Sequence, residues 1–389
     1  MQCVSWIGRH KIRAAALGLA LGAWIYSTCR RRQIETSDDQ DRLLAFLNDS
    51  HKSAGEAMRS FVPLLKSKIE TLIPISKMVS RLKTSSLDSA EKHRAWEDLK
   101  LNTFESTLLF VCSLAAISTV LCTTVSVVAK YMLRAAQCKQ HDVSLFSVFS
   151  EVLAGKNSAD SEKHDDNVEF LVNERNAEML SFVTIDSNTK KRVLVLTDHY
   201  LKVGMSELLA DIRSACRKST MFALKDKVSS EQALQKLRDL ESLVTREVFG
   251  VEDPSTCPRP DRFEKLQKFL LPPETAESGY LRQSQDALFE HISEEDKYGL
   301  IMNEVRTIME SEHFLRFFLS QLHVAFSITL SSLRSKLEKA GAESGISVAK
   351  LIPILSNLFS TSRGELADNI AVELFKESDL KGFMQKHIS

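Results

Sequence analysis

The pattern of residues around Trp96 is the one in this sequence that most suggests a binding site. One helical face carries residues spaced three or four apart: Lys92, Trp96, Leu99, Lys100, Thr103 and Phe104. An aromatic residue beside a leucine and between lysines is what a helix-in-groove receptor presents to an acidic amphipathic peptide. The indole would anchor the peptide by burying about 150–250 Å², while the lysines would steer and orient it. Periodicity alone leaves a second interpretation open, in which Trp96 packs inside the core of its own domain.

Catalytic and metal-binding motifs are absent from the sequence. It contains no P-loop, no GxGxxG, no GxSxG and no HExxH. The seven cysteines include no CxxC pair, which disfavours both a zinc site and a disulfide framework. The adjacent Asp198 and His199 are expected in a solvated turn. We therefore expect no enzyme activity, no metal and no cofactor.

The composition indicates a helical protein. Leu, Ala, Ser, Glu and Lys are abundant, whereas Gly (13) and Pro (8) are scarce, so long helices are favoured over a turn-rich β fold. Hydrophobic residues make up 43% of the chain, enough to bury a real core. The 51 basic and 51 acidic residues cancel, which argues against a nucleic-acid partner.

Residues 1–33 are predicted to form a membrane anchor. They contain six Lys and Arg residues and no acidic one, and they enclose sixteen uncharged residues from Ala14 to Cys29. A spanning helix needs about 20 apolar residues, and snorkelling of Arg13 and Arg30 would lengthen this short one. The anchoring side chains include Ala14, Leu17, Leu21, Trp24 and Ile25. A cleaved secretory signal and a mitochondrial presequence are the alternatives, and basic residues at both ends leave the orientation open.

Residues 34–389 are predicted to form an elongated helical bundle. Apolar periodicity predicts helices in the regions 40–83, 88–129, 201–227, 231–248, 301–339 and 346–383. Pro63 and Pro74 should kink or break the first region and Pro353 should divide the last. Asp88, three residues before Glu91, resembles a helix cap. Exposed loops are expected near 155–167 and 250–278, and residues 190–195 read equally as a strand or a helix start.

The stretch from Thr107 to Ala129 has two interpretations. Its 23 residues carry no charge, so it is long enough to cross a bilayer. Seven of them are Ser or Thr, distributed all around the helix, which favours a central helix of a soluble bundle, buried on every side.

Five segments in order resemble the peroxisomal biogenesis factor 3 (peroxin-3) family. The basic stretch RHKIR precedes the apolar anchor, and Trp96 opens a W-E-D-L-K run that is followed by Phe104 and a long apolar helix. EQALQKLRDLESLV at 231–244 is similar to the family's middle helix. Residues 303–314 are similar to its N-E-x-R…L-E-S-x-x-F stretch, and 349–354 to its A-K-I-I-P-I segment. Glu105 and the 155–200 region depart from the pattern.

The resemblance implies a single-pass peroxisomal membrane protein with most of its chain in the cytosol, whether or not it first passes through the ER. Such proteins dock the chaperone peroxin-19, which carries new membrane proteins as cargo, by accepting its amino-terminal amphipathic helix. Carried over by position, the partner-binding residues are Leu82, Lys83, Lys92, Trp96, Leu99, Lys100, Phe104, Lys350 and Ile352. Membrane lipid is a direct partner and cargo an indirect one. The resemblance favours the groove for Trp96 and the core for 107–129.

Two other functions stay open at this point. A structural tether would hold the organelle to other membranes or to the cytoskeleton through surface charges, without a groove at Trp96. A two-span membrane enzyme would need the 107–129 helix to lie in lipid, and it lacks a catalytic motif.

Overall fold

The computed structural model describes residues 55, 58, 59, 61–84, 88–138, 195–219, 221–251, 263–272, 297–359, 365–375 and 382–383. The predicted anchor (1–33) and the predicted loop at 155–167 lie outside these ranges. The described helices are α1 (61–72), α2 (Ile75–Thr84), α3 (Ser89–Cys138), α4 (Val195–His199), α5 (Met205–Lys218), α6 (Ser230–Glu247), α7 (Phe263–Leu270), α8 (Lys297–Met309), α9 (Glu312–Lys339), α10 (Val348–Ser356) and α11 (Glu365–Glu373). A π-helical turn (Tyr200–Gly204) joins α4 to α5, and a 3-10 turn (Ala342–Ser344) follows α9. The expected all-α class is confirmed: β1 (Lys227–Val228) and β2 (Ile346–Ser347) form a two-residue antiparallel pair beside the helices.

Helix α3 is the axis of the elongated bundle. Its 50 residues span about 75 Å at 1.5 Å per residue. Each residue from Thr107 to Val127 is buried, as the core interpretation of this stretch predicts. Most of the hydroxyl groups are satisfied within the helix itself: for example, the Oγ1 atoms of Thr107, Thr119 and Thr123 donate to the carbonyl oxygen four residues earlier at 2.7–2.9 Å. Thr124 Oγ1 is buried without a hydrogen-bond partner among the described residues. A helix rich in Ser and Thr can therefore lie in an apolar core.

Two of the described helices are apolar and long enough to cross a membrane by those criteria alone, namely Ser89–Val127 within α3 and α9. The most apolar part of α3 is completely buried within the bundle, and that of α9 is half buried. Both therefore have a packing role inside the protein.

Helices α2, α5, α8, α9 and α10 surround α3. A few polar links fix their positions on it. The Ser118 hydroxyl lies 3.3 Å from Gln321 Oε1 of α9, and the Tyr200 hydroxyl donates to Ser113 Oγ at 2.8 Å. Arg213 of α5 pairs with the buried Glu105 at 3.1 Å. Burial raises the pKa of the Glu105 carboxyl above its usual value, and the nearby Arg213 guanidinium offsets only part of this increase.

Several helix boundaries follow the predicted signals. Pro74 separates α1 from α2, while the backbone at Pro63 is helical. The Asp88 carboxylate accepts from the Glu91 N–H at 2.6 Å, so it caps α3. Within the region 250–278, where loops were expected, the described residues form the short helix α7. Gly341, with φ of +70°, ends the last turn after α9.

Four local expectations were wrong. The helix predicted over 201–227 ends at Lys218, and residues 221–226 are not helical. Pro353 does not divide its segment, because α10 continues through it to Ser356. The 301–339 region is interrupted after α8, where the Ser311 hydroxyl caps α9 by accepting from the Phe314 N–H. His199 lies buried in a helix, not in a solvated turn, and the neighbouring Asp198 carboxylate pairs with Lys202 at 2.6 Å. Burial lowers the pKa of His199.

Candidate functional site

The hairpin of α2 and α3 builds a partly exposed apolar surface around Trp96. The connector between the two helices is only four residues long, so they run side by side in opposite directions. Met78 and Val79, in the middle of the ten-residue α2, are therefore expected about level with Trp96, two turns into α3. We call the half-buried apolar side chains here the Trp96 surface: Ile75, Met78, Val79, Leu82 and Trp96.

Trp96 is half-buried: it packs against the core, and part of its side chain is accessible to solvent. This intermediate state lies between the two interpretations of the sequence. A tryptophan that is supported from below and exposed above can gain further burial when a partner covers it.

Exposed basic residues border this surface. Helix α2 contains no acidic residue, and its Lys77, Arg81 and Lys83 are exposed. Lys92 is exposed in the first turn of α3. Acidic residues lie on the α3 side as well, where Asp88, Glu91 and Asp98 are exposed and Glu97 is partly exposed. The α2 side of the surface is therefore suited to an acidic partner.

Three of the predicted partner-binding residues are buried in the bundle. Leu99, Phe104 and Ile352 are each 2% exposed. They therefore belong to the core and present almost no surface to a partner. The helical spacing placed Leu99 and Phe104 on the same face as Trp96. It could not show that other helices cover this face at Leu99 and Phe104 and leave it partly exposed at Trp96.

Lys100 is also buried, at 5% exposure, although it carries a charge. Its ammonium group pairs with Glu97 and donates to the Phe222 carbonyl oxygen at 2.7 Å. The charge is thus satisfied by the protein itself. Lys100 joins the start of α3 to the segment that precedes β1.

Lys350 is exposed on α10, beside the same half of α3. The Val348 N–H donates to the Asp226 carbonyl oxygen at 3.2 Å, which fixes the start of α10 next to the 221–228 segment. The rings of Phe359 and Phe110 stack with their centroids 4.2 Å apart, so the residues after α10 lie further along α3. Helix α10 therefore runs along α3 with its first turn toward the Trp96 end.

Sequence reasoning missed the apolar residues of the segment before β1. Met221, Phe222 and Leu224 are half-buried and pack against the core. The apolar periodicity had placed these residues in the helix predicted for 201–227, whereas α5 ends at Lys218 and residues 221–226 are not helical. The hydrogen bond between Lys100 and Phe222 links residues 122 positions apart, and the pattern of one sequence does not predict such a contact.

The part of the chain that the structure describes contains no group of three or more His, Cys, Asp or Glu side chains that could hold a metal ion. Burial raises the pKa of the Cys112, Cys122 and Cys216 thiols, so these cysteines are unsuited to act as nucleophiles or metal ligands.

Comparison with known proteins gives a family match over most of the chain. The family model for Peroxin-3 matches residues 32–372. No curated protein matches the sequence significantly. The matched range includes every residue of the Trp96 surface, and also α10 and the segment before β1. The chain therefore belongs to the Peroxin-3 family, whose function is peroxisome biogenesis and the insertion of proteins into the peroxisomal membrane.

Proposed function

We propose that this chain is the docking receptor for the chaperone peroxin-19 at the peroxisomal membrane. In this role the amino-terminal amphipathic helix of peroxin-19 lays its apolar face on the Trp96 surface. Cargo membrane proteins arrive with the chaperone and are released beside the bilayer. The observation that carries the proposal is the half-buried indole of Trp96, supported by buried Leu99 and flanked by the apolar side chains of α2.

Burial of apolar surface supplies the binding free energy in this proposal. Covering a large apolar side chain contributes about 1.5–3 kcal/mol, and the side chains of the Trp96 surface begin only partly exposed. Ordering of the peptide opposes association, so the expected affinity is roughly micromolar to nanomolar. Lys83, Lys92 and Lys350 would raise the association rate and set the orientation of an acidic helix.

The proposed topology has residues 1–33 as a single anchor and residues 34–389 as a cytosolic bundle. Complete burial of the most apolar stretch of α3 supports one span, because this helix already has a place inside the protein. A cytosolic bundle exposes the Trp96 surface to a soluble chaperone. It also accounts for the absence of CxxC pairs and disulfide spacing in the sequence.

The proposal is tested by titrating the full-length chain, in detergent micelles, with the amino-terminal peptide of peroxin-19. We expect saturable binding, weakened tenfold or more by Trp96→Ala, which corresponds to about 1.4 kcal/mol. Leu319→Ala is the matched control, since Leu319 is also a half-buried apolar residue packed on the core. The Ser118–Gln321 contact places this part of α9 about 22 residues, or roughly 33 Å, from Trp96 along α3.

A full-length chain that is folded but does not bind the peptide would overturn the docking role and would favour a tether that acts through charged surface residues. Equal affinity of the unchanged chain and of Trp96→Ala would refute the Trp96 surface as the docking site.

A further inference from the structure

We propose that residues 221–224, here called the 221–224 loop, form a second wall of the docking surface and contact the bound acidic helix directly. This inference rests on the proposed function, because it concerns the same amphipathic partner. The loop offers three half-buried apolar side chains, those of Met221, Phe222 and Leu224. Together with α2, which also packs on α3, it would enclose a helix laid over Trp96.

The position of the loop follows from its hydrogen bond to Lys100. The Phe222 carbonyl oxygen accepts from Lys100 Nζ at 2.7 Å. Lys100 lies one helical turn after Trp96, which is about 6 Å along the axis of α3 and on the same face. The backbone at Phe222 is therefore within the reach of one lysine side chain from the helix face that carries Trp96.

The loop is held in its shape by hydrogen bonds between Ala223 and Asp226, which leave its apolar side chains partly exposed. The Ala223 N–H donates to Asp226 Oδ2 at 2.8 Å, and the Asp226 N–H donates to the Ala223 carbonyl oxygen at 3.0 Å. The following residues pair with β2, where Val228 faces Ile346. A backbone that is already fixed loses less conformational entropy when a partner binds. Exposed apolar groups on such a backbone are characteristic of a binding surface.

Charge identifies the occupant as an acidic amphipathic helix. Lys225 and Lys227 are exposed beside the loop, with Asp226 between them engaged in the loop's own turn. Lys350 is exposed on α10, which starts next to the same segment. The rim of the second wall is therefore net basic, as is the α2 side. An apolar strip between two basic rims complements a helix with one apolar face and acidic flanks.

Lys100 is a positioning residue in this arrangement. Its ammonium group is buried against Glu97 and the loop backbone, so it cannot also pair with the partner. Its role is to hold Phe222 at the edge of the Trp96 surface. The effect of removing it should therefore be seen first in the loop of the free protein.

The test measures peptide affinity and amide hydrogen exchange on the full-length chain in detergent micelles, with the peroxin-19 amino-terminal peptide as probe. We expect Phe222→Ser to weaken binding about tenfold or more and Met221→Ser to weaken it several-fold. Lys100→Met should increase exchange at the amides of 221–224 in the free protein and weaken binding, whereas Lys100→Arg, which keeps a cationic donor, should restore part of both. In the unchanged chain the peptide should slow exchange at these amides. Leu319→Ser serves as the matched control and should bind normally.

The outcomes separate this inference from the docking role itself. If Trp96→Ala weakens binding but Phe222→Ser and Met221→Ser bind normally, and the peptide does not slow exchange in the loop, the second wall is wrong and the docking role stands. If the unchanged chain does not bind the peptide, both fail. Unchanged exchange in Lys100→Met would refute the positioning role of Lys100.

Discussion

Gly204→Ala provides the sharpest test of how the bundle is packed. Gly204 ends the π-helical turn before α5 with helical torsion angles, φ −55° and ψ −40°. In an open helix this change stabilises by about 1 kcal/mol, because alanine has the higher helix propensity. Here a Cβ atom would lie 2.0 Å from the Phe269 carbonyl oxygen and 3.0 Å from Tyr200 Cδ2. Helix α7 must therefore move away by roughly 1 Å before alanine fits.

The packing cost should exceed the gain in propensity. Overpacking of a core costs about 1–3 kcal/mol, and contact with a backbone atom belongs at the upper end, since a carbonyl group cannot rotate away as a side chain can. The net loss in the free energy of unfolding is then about 2 kcal/mol. At roughly 2–4 °C per kcal/mol for domains of this size class, Tm should fall by about 4–8 °C.

Thermal unfolding of the full-length chain in detergent, followed by circular dichroism, measures this shift. Gly55→Ala is the matched control: Gly55 is also helical and buried, but a Cβ there would meet only the Phe375 ring carbons and Cβ at 3.5–3.7 Å, an ordinary contact. We expect Gly55→Ala to keep or raise Tm. An unchanged or higher Tm for Gly204→Ala would show that α7 does not pack against the π-helical turn as described.

Three further predictions concern the core and the anchor. Arg213→Met should lower the free energy of unfolding by about 1–3 kcal/mol at pH 7.5, because Glu105, at 3% side-chain exposure, loses its cationic partner. Burial already raises the pKa of Glu105, so the ionised form is disfavoured in the folded state. The loss of stability should therefore shrink as the pH falls through the folded-state pKa and Glu105 becomes neutral. Urea unfolding at pH 5 and 7.5 measures this deficit, and a value independent of pH would contradict it. Tyr200→Phe should cost about 1 kcal/mol in the same assay, because the hydroxyl that donates to Ser113 Oγ is lost; no loss would mean that this hydrogen bond is not made. Deletion of residues 1–33 should release the chain from carbonate-washed membranes, and retention would refute the proposed single anchor.

The sequence predicts those parts of the fold that depend on local chemistry. Asp88 caps α3 because its side chain reaches an N–H three residues away, and Pro74 ends a helix because it lacks a donor. The uncharged 107–129 stretch could be placed in the core because polar groups all around a helix suit a protein interior better than lipid. The prediction that Pro353 divides its helix was wrong because the effect of a proline inside a helix depends on the packing around it.

The candidate surface was predictable only in part. Spacing brought Leu99 and Phe104 onto the face of Trp96, but their burial depends on the helices that cover α3. Lys100 was interpreted as a steering charge, yet it is satisfied by Glu97 and Phe222, which the fold brings to it. Contacts of this kind depend on tertiary structure, which periodicity does not encode.

The central claim is that the indole of Trp96 is open enough to receive an apolar helix, and its fluorescence tests this most directly. The chain has three tryptophans, so Trp6→Phe combined with Trp24→Phe leaves Trp96 as the sole emitter. We expect its emission to shift to shorter wavelength, and its quenching by acrylamide to fall, as the peroxin-19 peptide saturates the full-length protein. Emission and quenching that stay constant while calorimetry shows the peptide bound would place the peptide elsewhere and contradict the claim.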